Sequence, residues 1–219
     1  MLQTIEIETA ANPDAAVIWL HGLGADCHDF EPLVPEIVPR RERAWRFVFP
    51  NAPVRPVTIN NRMSMRAWYD IVGFDRLAAE DAAGFRDTDA RIGELIENQV
   101  ERGIPVGRIV LAGFSQGGAV SLYTGLRYRE RLAGILALSC YLPLASTLAA
   151  ECAPANAGAP IFMAHGLDDE VLPIRLGVDS RKQLEALGYD VEWHQYRMGH
   201  SVCQPEVADI RAFLFRILP

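Results

Sequence analysis

The sequence has few cysteines, and no two of them are close in the chain. Only four occur in 219 residues, and no Cys-x-x-Cys pair is present. This usage argues against a disulfide framework and a zinc site, and it favours free thiols in a reducing compartment. We therefore expect a cytoplasmic protein without a structural metal. The four cysteines are Cys27, Cys140, Cys152 and Cys203.

Long apolar runs and clusters of basic residues are also missing. No run approaches the roughly 20 residues that a membrane-spanning helix needs. The first nine residues alternate apolar and polar side chains, which predicts a strand and no secretory leader. The chain has 21 basic and 28 acidic residues, a net charge of −7, so nucleic acid is not an expected partner.

No internal repeat, low-complexity tract or linker divides the chain. Half of its residues are hydrophobic and 22% are charged, which is typical of a folded globular protein. We expect one domain over residues 1–219.

Short apolar runs alternate with longer segments of helical period. This alternation predicts an α/β fold with a mostly parallel central sheet and helices on both faces. The predicted strands are Ala15–Leu20, Trp45–Phe49, Arg108–Gly113, Gly134–Leu138, Pro160–Ala164 and Asp190–Tyr196. The predicted helices are Asp29–Val38, Asp81–Arg102, Gly117–Tyr128, Ile174–Leu187 and Glu206–Leu218.

The segment Pro50–Asp70 interrupts this alternation. It is rich in proline and has no clear period, so it predicts a long loop, and long loops in compact domains are usually functional. Its side chains Met63, Met65 and Trp68 are candidates to shape a substrate pocket. The pair Trp68 and Tyr69 fits two interpretations equally well, a core position or the lining of a substrate cleft.

A nucleophile motif follows one of the predicted strands directly. Gly-Phe-Ser-Gln-Gly at residues 113–117 joins an apolar strand to a helix, which is the context of a nucleophile elbow. The sharp turn exposes the hydroxyl of Ser115, and flanking glycines let the neighbouring elements approach. The alternative is a glycine-rich turn with a spectator serine.

A nucleophilic serine needs a base, and the base needs an acid that fixes its tautomer. Asp168, Asp169 and Glu170 follow one predicted strand, and His200 follows the next. Both loops lie at carboxyl ends of strands, where ligands bind in open α/β sheets. The order serine, acid, histidine is that of the α/β-hydrolase fold, with the choice among the three acids open at this point.

The other histidines have plainer interpretations. His194 lies inside a predicted strand, and His28 lies near a helix start. His21 and His165 each precede a glycine at a strand end, where bracing of a turn by hydrogen bonds is favoured over catalysis. His200 with Cys203 could suggest a metal, but two ligands without further convergent groups do not make a site.

Acyl transfer also requires N–H donors for the oxyanion. The glycine-rich turn His-Gly-Leu-Gly-Ala-Asp at residues 21–26 can supply the amide of Leu23. The residue after the nucleophile, Gln116, can supply the second amide. The turn lacks the glycine spacing and the lysine of phosphate-binding loops, so a phosphate site is not indicated.

Together, these motifs resemble the phospholipase/carboxylesterase family, which includes acyl-protein thioesterases. The resemblance covers nearly the whole chain and rests on Leu20–Gly24, Gly113–Gly118, His165–Pro173 and Gly199-His200. It implies an α/β-hydrolase fold, Asp169 as the acid, and Leu23 and Gln116 as oxyanion donors. The segment His-Gly-Leu-Gly-Ala-Asp is most similar to bacterial carboxylesterases of this family. Such enzymes need no cofactor and are often cytoplasmic homodimers.

The sequence therefore predicts a serine carboxylesterase with the triad Ser115, Asp169 and His200. Its expected substrate is a small-molecule or lipid-like acyl ester, with an acylated protein or a lysophospholipid as alternatives. The residues expected to contact substrate are Trp68, Tyr69, Met63 and Met65. A non-catalytic binding protein on a hydrolase fold is the competing class, because a fold does not guarantee activity.

Overall fold

A seven-stranded sheet forms the centre of the computed structural model, which describes residues 2–39, 42–73 and 80–219. Its strands are β1 (Thr4–Glu8), β2 (Ala15–Leu20), β3 (Trp45–Pro50), β6 (Ile109–Phe114), β7 (Gly134–Leu138), β8 (Ile161–Gly166) and β9 (Val191–Tyr196). Their spatial order is β1-β3-β2-β6-β7-β8-β9. All neighbouring pairs are parallel except β1 with β3, which are antiparallel.

Burial follows from position in the sheet. The inner strands β2, β3, β7 and β8 are buried along their whole length, as expected for parallel strands covered on both faces. The edge strands β1 and β9 are only partly buried, and they contain the alternating and polar residues. The N-terminal strand is confirmed over Thr4–Glu8, and Met1 lies outside the described residues.

Helices cover both faces of this sheet. Two pack on one face through apolar residues such as Ile37 and Phe213, and the other four pack on the opposite face. The predicted α/β class, with a mostly parallel sheet between helical layers, is confirmed. The helices are α1 (Val34–Ile37) and α6 (Gln204–Ile217) on the first face, and α2 (Ala82–Glu101), α3 (Gln116–Arg127), α4 (Ala145–Glu151) and α5 (Ile174–Ala186) on the second. No helix in the described part of the chain is long and apolar enough to cross a membrane.

One predicted helix is wrong in extent, and one helix of the structure was not predicted. The predicted helix Asp29–Val38 is a 3-10 turn at Glu31–Leu33 followed by the single α-helical turn of α1. Pro32 and Pro35 lie within it, and each removes a backbone donor that a longer helix would need. Helix α4 was not predicted at all.

The segment Pro50–Asp70 also contains regular structure that its composition did not predict. Strands β4 (Val54–Val57) and β5 (Met63–Arg66) pair as an antiparallel hairpin, with Val54 opposite Arg66. The chain reverses where Asn61 and Arg62 have φ of 53° and 58°. Asparagine tolerates this left-handed backbone better than most residues, and proline is tolerated in an isolated two-stranded ribbon.

Candidate active site

Three side chains from three separate loops form a continuous chain of hydrogen bonds. The Nε2 atom of His200 lies 2.9 Å from the Oγ atom of Ser115, and Nδ1 of His200 lies 2.7 Å from Oδ2 of Asp169. A carboxylate only accepts, so Nδ1 of His200 donates to Asp169. Nε2 is then the acceptor for the hydroxyl proton of Ser115. The structure therefore brings together the three residues that the sequence predicts as a triad.

The serine lies on the sharp turn between β6 and α3. Its backbone has φ of 54° and ψ of −118°, a strained conformation for a residue with a side chain. The backbone N–H of Ser115 donates to the carbonyl oxygen of Leu138 at 2.8 Å, which fixes the turn against β7. A Cβ on Gly117 would lie 2.3 Å from the carbonyl oxygen of Leu20, so only glycine allows α3 to begin this close to β2.

The acid is held by its own loop after β8. One carboxylate oxygen of Asp169 accepts hydrogen bonds from the backbone N–H groups of Val171 and Leu172 at 3.0 and 2.7 Å. Its other oxygen faces His200. The side chain is completely buried, so the carboxylate keeps one orientation relative to the histidine ring.

His165 braces this acid loop, as its position before a glycine predicts. Its Nε2 atom donates to the carbonyl oxygen of Leu172 at 2.8 Å, and the same atom lies 3.4 Å from Oδ2 of Asp169. Burial lowers the pKa of His165, so its neutral form is favoured. His165 thus supports the acid from behind and does not take the place of His200.

The acid and histidine loops are fixed to each other through their backbones. The N–H of Leu167 donates to the carbonyl oxygen of Tyr196 at 2.8 Å, and that of Asp168 donates to Met198 at 3.1 Å. A Cβ on Gly166 would lie 2.3 Å from the carbonyl oxygen of Gly199. The two loops therefore approach as closely as they do because Gly166 has no side chain.

Two backbone N–H groups next to the serine are free to bind an oxyanion. Neither Leu23 nor Gln116 donates its backbone N–H to another group within the described residues. Gln116 is the first residue of α3, whose N-terminal N–H groups have no partner in the helix. Leu23 lies in the turn after β2, and with Ser115 it lines one cavity of about 340 Å³.

This cavity, which we call the serine cavity, is mainly apolar in its lining. Asn60 comes from the turn between β4 and β5, Ile71 from the loop after the hairpin, and Val171 from the acid loop. Its full lining is Gly22, Leu23, Ala25, Asp29, Asn60, Ile71, Phe114, Ser115, Val171 and His200.

The four residues predicted to contact substrate lie outside this lining. Trp68 is completely buried and Tyr69 is 2% exposed, and both pack in the core between the sheet and α2. Met63 is 64% exposed on the hairpin, and Met65 lies behind Asn60, whose amide contacts its sulfur at 3.3 Å. Substrate contact by these four side chains stays a prediction. Of the two interpretations of Trp68 and Tyr69, the core position is the one seen in this structure.

The comparisons with known proteins agree with this geometry. Residues 3–218 match the phospholipase/carboxylesterase family. The chain belongs to this family. Acyl-protein thioesterase 1 of Neurospora crassa is 42% identical over 97% of this chain and 91% of that protein, and acyl-protein thioesterase 1 of Mycosarcoma maydis is 39% identical over 100% and 98%.

Solved structures of similar proteins have the same fold. Arabidopsis thaliana SOBER1 superposes with a TM-score of 0.88 at 28% identity, covering 94% of this chain and 99% of that one. Acyl-protein thioesterase 2 of Zea mays has a TM-score of 0.88 at 26% identity, covering 100% of both chains. The predicted family and the predicted class of enzyme, a carboxylic ester hydrolase, are confirmed.

One feature of the candidate site was not predicted from the sequence, namely the contacts of the side chain of Gln116. Its Oε1 atom accepts the backbone N–H of Trp68, and its Nε2 atom donates to the carbonyl oxygen of Tyr69, both at 2.8 Å. The residue predicted to offer an oxyanion amide therefore also fixes the end of the segment Pro50–Asp70. Its place after the nucleophile signals the amide, but nothing in the motif indicates a partner for the side chain.

Trp68 connects this network to the turn that contains Leu23, the other predicted oxyanion donor. Its indole N–H donates to the carbonyl oxygen of His21 at 2.9 Å. The ring of His21 accepts the N–H of Ala52 at Nε2, so its Nδ1 carries a hydrogen and donates to the carbonyl oxygen of Gly22 at 2.7 Å. In a trans peptide the N–H points opposite to the carbonyl, so this bond directs the N–H of Leu23 away from His21. Burial lowers the pKa of His21, which favours the neutral ring.

Proposed function

We propose that this enzyme is an acyl-protein thioesterase-like serine hydrolase that cleaves acyl thioesters. The observation that supports this most directly is the 42% identity to a fungal acyl-protein thioesterase over 97% of the chain. A second fungal relative with the same name is 39% identical over the whole chain. The sequence motifs alone favoured a general carboxylesterase, with a thioesterase as the alternative. We rank the thioesterase first because of these two identities.

In the proposed mechanism, Nε2 of His200 takes the proton of Ser115 as the oxygen attacks the acyl carbon. The hydrogen bond from Nδ1 of His200 to Asp169 favours the imidazolium that forms. The N–H groups of Leu23 and Gln116 bind the oxyanion of the tetrahedral intermediate. Each such donor is worth about 3 to 4 kcal/mol of transition-state stabilisation in related chemistry.

His200 then gives its proton to the departing sulfur or oxygen, and the acyl group stays on Ser115. Water attacks this acyl-enzyme while His200 accepts one of its protons. His200 then gives that proton to Oγ of Ser115 as the bond from Oγ to the acyl carbon breaks, and the acid product leaves. Every proton in this cycle passes through Nε2 of His200, the atom that lies 2.9 Å from Oγ of Ser115. The mechanism requires no metal or cofactor.

The proposed enzyme acts in a reducing compartment, the cytoplasm. All four cysteines are unpaired in the structure, and two of them, Cys27 and Cys140, are buried. Burial raises the pKa of the Cys140 thiol, which disfavours its reactive thiolate. A homodimer, which the family resemblance implies, stays a prediction.

A general carboxylesterase is the second candidate function. The segment His-Gly-Leu-Gly-Ala-Asp at residues 21–26 favours it, because it resembles the segment in bacterial carboxylesterases. A thioester and an oxyester of the same acid differ only in the leaving group, so the same triad can act on both. Kinetics with matched substrates therefore decide between the two candidates.

The test is kcat/KM across a series of acyl chain lengths, with each acyl group as a thioester and as an oxyester. Ser115→Ala is the blank, because it removes the nucleophilic hydroxyl and keeps the β-carbon. We expect Ser115-dependent turnover that rises with chain length and is higher for thioesters. A maximum at short oxyesters would favour the carboxylesterase, and residual turnover by Ser115→Ala near the wild-type rate would remove Ser115 from the mechanism.

A further inference from the structure

Two cavities meet beside His200. The serine cavity contains Ser115 and Leu23, and a second cavity of about 360 Å³ lies along the other side of the histidine. We call the second one the histidine cavity. It is lined by Asp29, Phe30, Leu33, Phe114, His200, Ser201 and Val202. Three residues border both cavities, namely Asp29, Phe114 and His200.

The chemistry of the proposed function assigns a role to each cavity. The carbonyl carbon and its oxyanion must lie beside Ser115 and Leu23, which line only the serine cavity. The leaving group takes its proton from His200, so it departs on the histidine side of the bond. The histidine cavity is therefore the place where the alcohol or thiol portion of the substrate lies.

We propose that Asp29 is a specificity-determining residue that favours substrates with a positively charged leaving group. This inference rests on the proposed hydrolytic function and adds the charge class of the substrate to it. The suitable class is an acyl thioester or ester whose thiol or alcohol carries an ammonium group, such as an acyl thiocholine.

The charge of Asp29 is the first argument. Among the described residues that line the two cavities, Asp29 and His200 are the only ionisable ones. The carboxylate of Asp29 has no hydrogen bond or ion pair within the described residues. Asp29 is an exposed residue at the rim of the cavities, and the partial desolvation of its carboxylate raises its pKa, as does the nearby charge of Asp26. A cation in the histidine cavity would supply the counter-charge that this carboxylate lacks.

The fixed position of Asp29 is the second argument. The N–H of Asp29 donates to the carbonyl oxygen of Asp26 at 3.2 Å, within a tight turn. On one side the N–H of Cys27 donates to the side chain of Asn51 at 2.9 Å. On the other side the buried ring of Phe30 stacks on Trp19 at 5.3 Å between centroids. The backbone is held on both sides, so the carboxylate stays near the junction of the cavities.

The remaining lining of the histidine cavity suits an alkylammonium group. Phe30, Leu33 and Val202 are apolar and would contact methyl or methylene groups. Among the described lining residues, Ser201 alone has a hydroxyl group. An anionic leaving group would meet the unpaired carboxylate of Asp29. The only basic side chain in the described lining is His200, which carries a positive charge only after it has taken the proton of Ser115. The preference therefore has a definite sign, with cationic leaving groups favoured, neutral ones intermediate and anionic ones disfavoured.

The test uses three thioesters with the same butyryl group. Their thiols are thiocholine, its uncharged isostere 3,3-dimethylbutanethiol, and the anionic 3-mercaptopropionate. The measured quantity is the ratio of kcat/KM between the charged substrates and the uncharged one. We expect the wild type to prefer the cationic substrate by about fivefold, which is the scale of one partly exposed charge pair.

Asp29→Asn is the test variant and Glu31→Gln is the matched control. Both remove one carboxylate from the same loop, but Glu31 is paired with His28 at 2.7 Å and lines neither cavity. We expect Asp29→Asn to bring the cationic-to-neutral ratio to about one and to raise turnover of the anionic substrate, and Glu31→Gln to keep the wild-type ratios. If Asp29→Asn folds poorly, the same ratios are measured with Asp29→Ser, which also removes the carboxylate.

An unchanged ratio in Asp29→Asn, or an equal change in Glu31→Gln, would overturn the inference. Failure of the proposed function has a different signature. In that case the uncharged thioester itself would show no turnover that depends on Ser115, in the wild type as in every variant. The cationic-to-neutral ratio of kcat/KM thus tests the role of Asp29, and the Ser115-dependent rate on the uncharged thioester tests the proposed hydrolytic function.

Discussion

At the scale of single residues, the site depends on one strained backbone conformation. Ser115 has a φ of 54°, and such a conformation costs about 1 to 3 kcal/mol for a residue with a side chain. The hydrogen bonds from Ser115 to Leu138 and from Ala119 to Ser115 help to hold it. The strain could be expected from the sequence, because a serine between glycines at a strand-to-helix junction has this geometry in nucleophile elbows.

Other single residues could not be assigned from their type alone. Trp68 is an aromatic residue in a functional segment, and its sequence fits a cleft and a core position equally well. Two hydrogen bonds hold Trp68 in the core, one to His21 and one to Gln116. These partners are 47 and 48 residues away in the chain. Local patterns contain no information on contacts of that kind.

Glu206 provides a prediction on the pH dependence of stability. Its side chain is fully buried near the start of α6, and burial raises its pKa to about 8, with Asp209 adding to the effect. Between the ordinary value of 4.5 and about 8, the folded protein holds a proton that the unfolded chain releases. Stability from this group is therefore highest below pH 4.5 and falls as the pH rises towards 8, by an amount on the order of a few kcal/mol.

Glu206→Gln should remove this loss, because the amide resembles the protonated carboxyl and does not ionise. We expect its free energy of unfolding, relative to wild type, to increase from pH 5 to about pH 8 and then to level off, as measured by urea titrations. Glu101→Gln, which removes an exposed carboxylate from α2, controls for the change in net charge. A constant difference between Glu206→Gln and wild type across this range would contradict the prediction.

At the scale of elements, the ends of the strands carry the candidate site. The loops after β2, β6, β8 and β9 supply Leu23, Ser115, Asp169 and His200 in turn. Because parallel strands end at the same edge of a sheet, the sequence could predict that these loops meet. The hairpin of β4 and β5 was not predicted, because its short strands contain proline and arginine and pack only in part.

The hydrogen bond from Trp68 to His21 gives a prediction for the loop after β2. Trp68→Phe keeps an aromatic ring but leaves the carbonyl oxygen of His21 without this donor. If the bond helps to direct the oxyanion amide, kcat should fall by about 5 to 20-fold with little change in KM. Steady-state kinetics on the uncharged thioester would measure both parameters.

Trp45→Phe is the control for loss of indole packing. Trp45 is completely buried, and its Nε1 atom has no hydrogen-bond partner within the described residues. We expect it to lower the melting temperature with kcat close to wild type. Equal losses of kcat in the two variants would mean that packing alone explains the effect of Trp68→Phe.

The cavity lining gives a second prediction at this scale, on acyl chain length. Ile71 lines the serine cavity, whereas Met63 is 64% exposed on the hairpin. Ile71→Ala should shift the optimum of kcat/KM towards longer acyl chains, because it removes three carbon atoms from the wall. Met63→Ala should leave the optimum unchanged. A shift in Met63→Ala and none in Ile71→Ala would restore the hairpin side chain as the substrate contact.

At the scale of the whole molecule, distant parts of the chain depend on one another. Ser115 and His200 are 85 residues apart, and Asp169 and His200 are 31 apart. These three residues therefore come within hydrogen-bond distance only when the strands of the sheet pair in the right order. The alternation of strands and helices predicts a mostly parallel sheet, but it does not predict the spatial order of the strands or which cavities form between the loops.

The net charge of −7 is a property of the whole molecule, and it makes a prediction distinct from that for Asp29. An acidic protein attracts cationic substrates over long range, and salt screens this attraction, with a Debye length of about 10 Å at 0.1 M. We expect kcat/KM for butyrylthiocholine to fall by about two- to fivefold between 20 and 500 mM salt, while the uncharged isostere changes little. In Asp29→Asn a smaller fall should remain, because the other charges are still present. A salt response that disappears entirely in Asp29→Asn would place the attraction in that single carboxylate, and no response in the wild type would exclude both contributions.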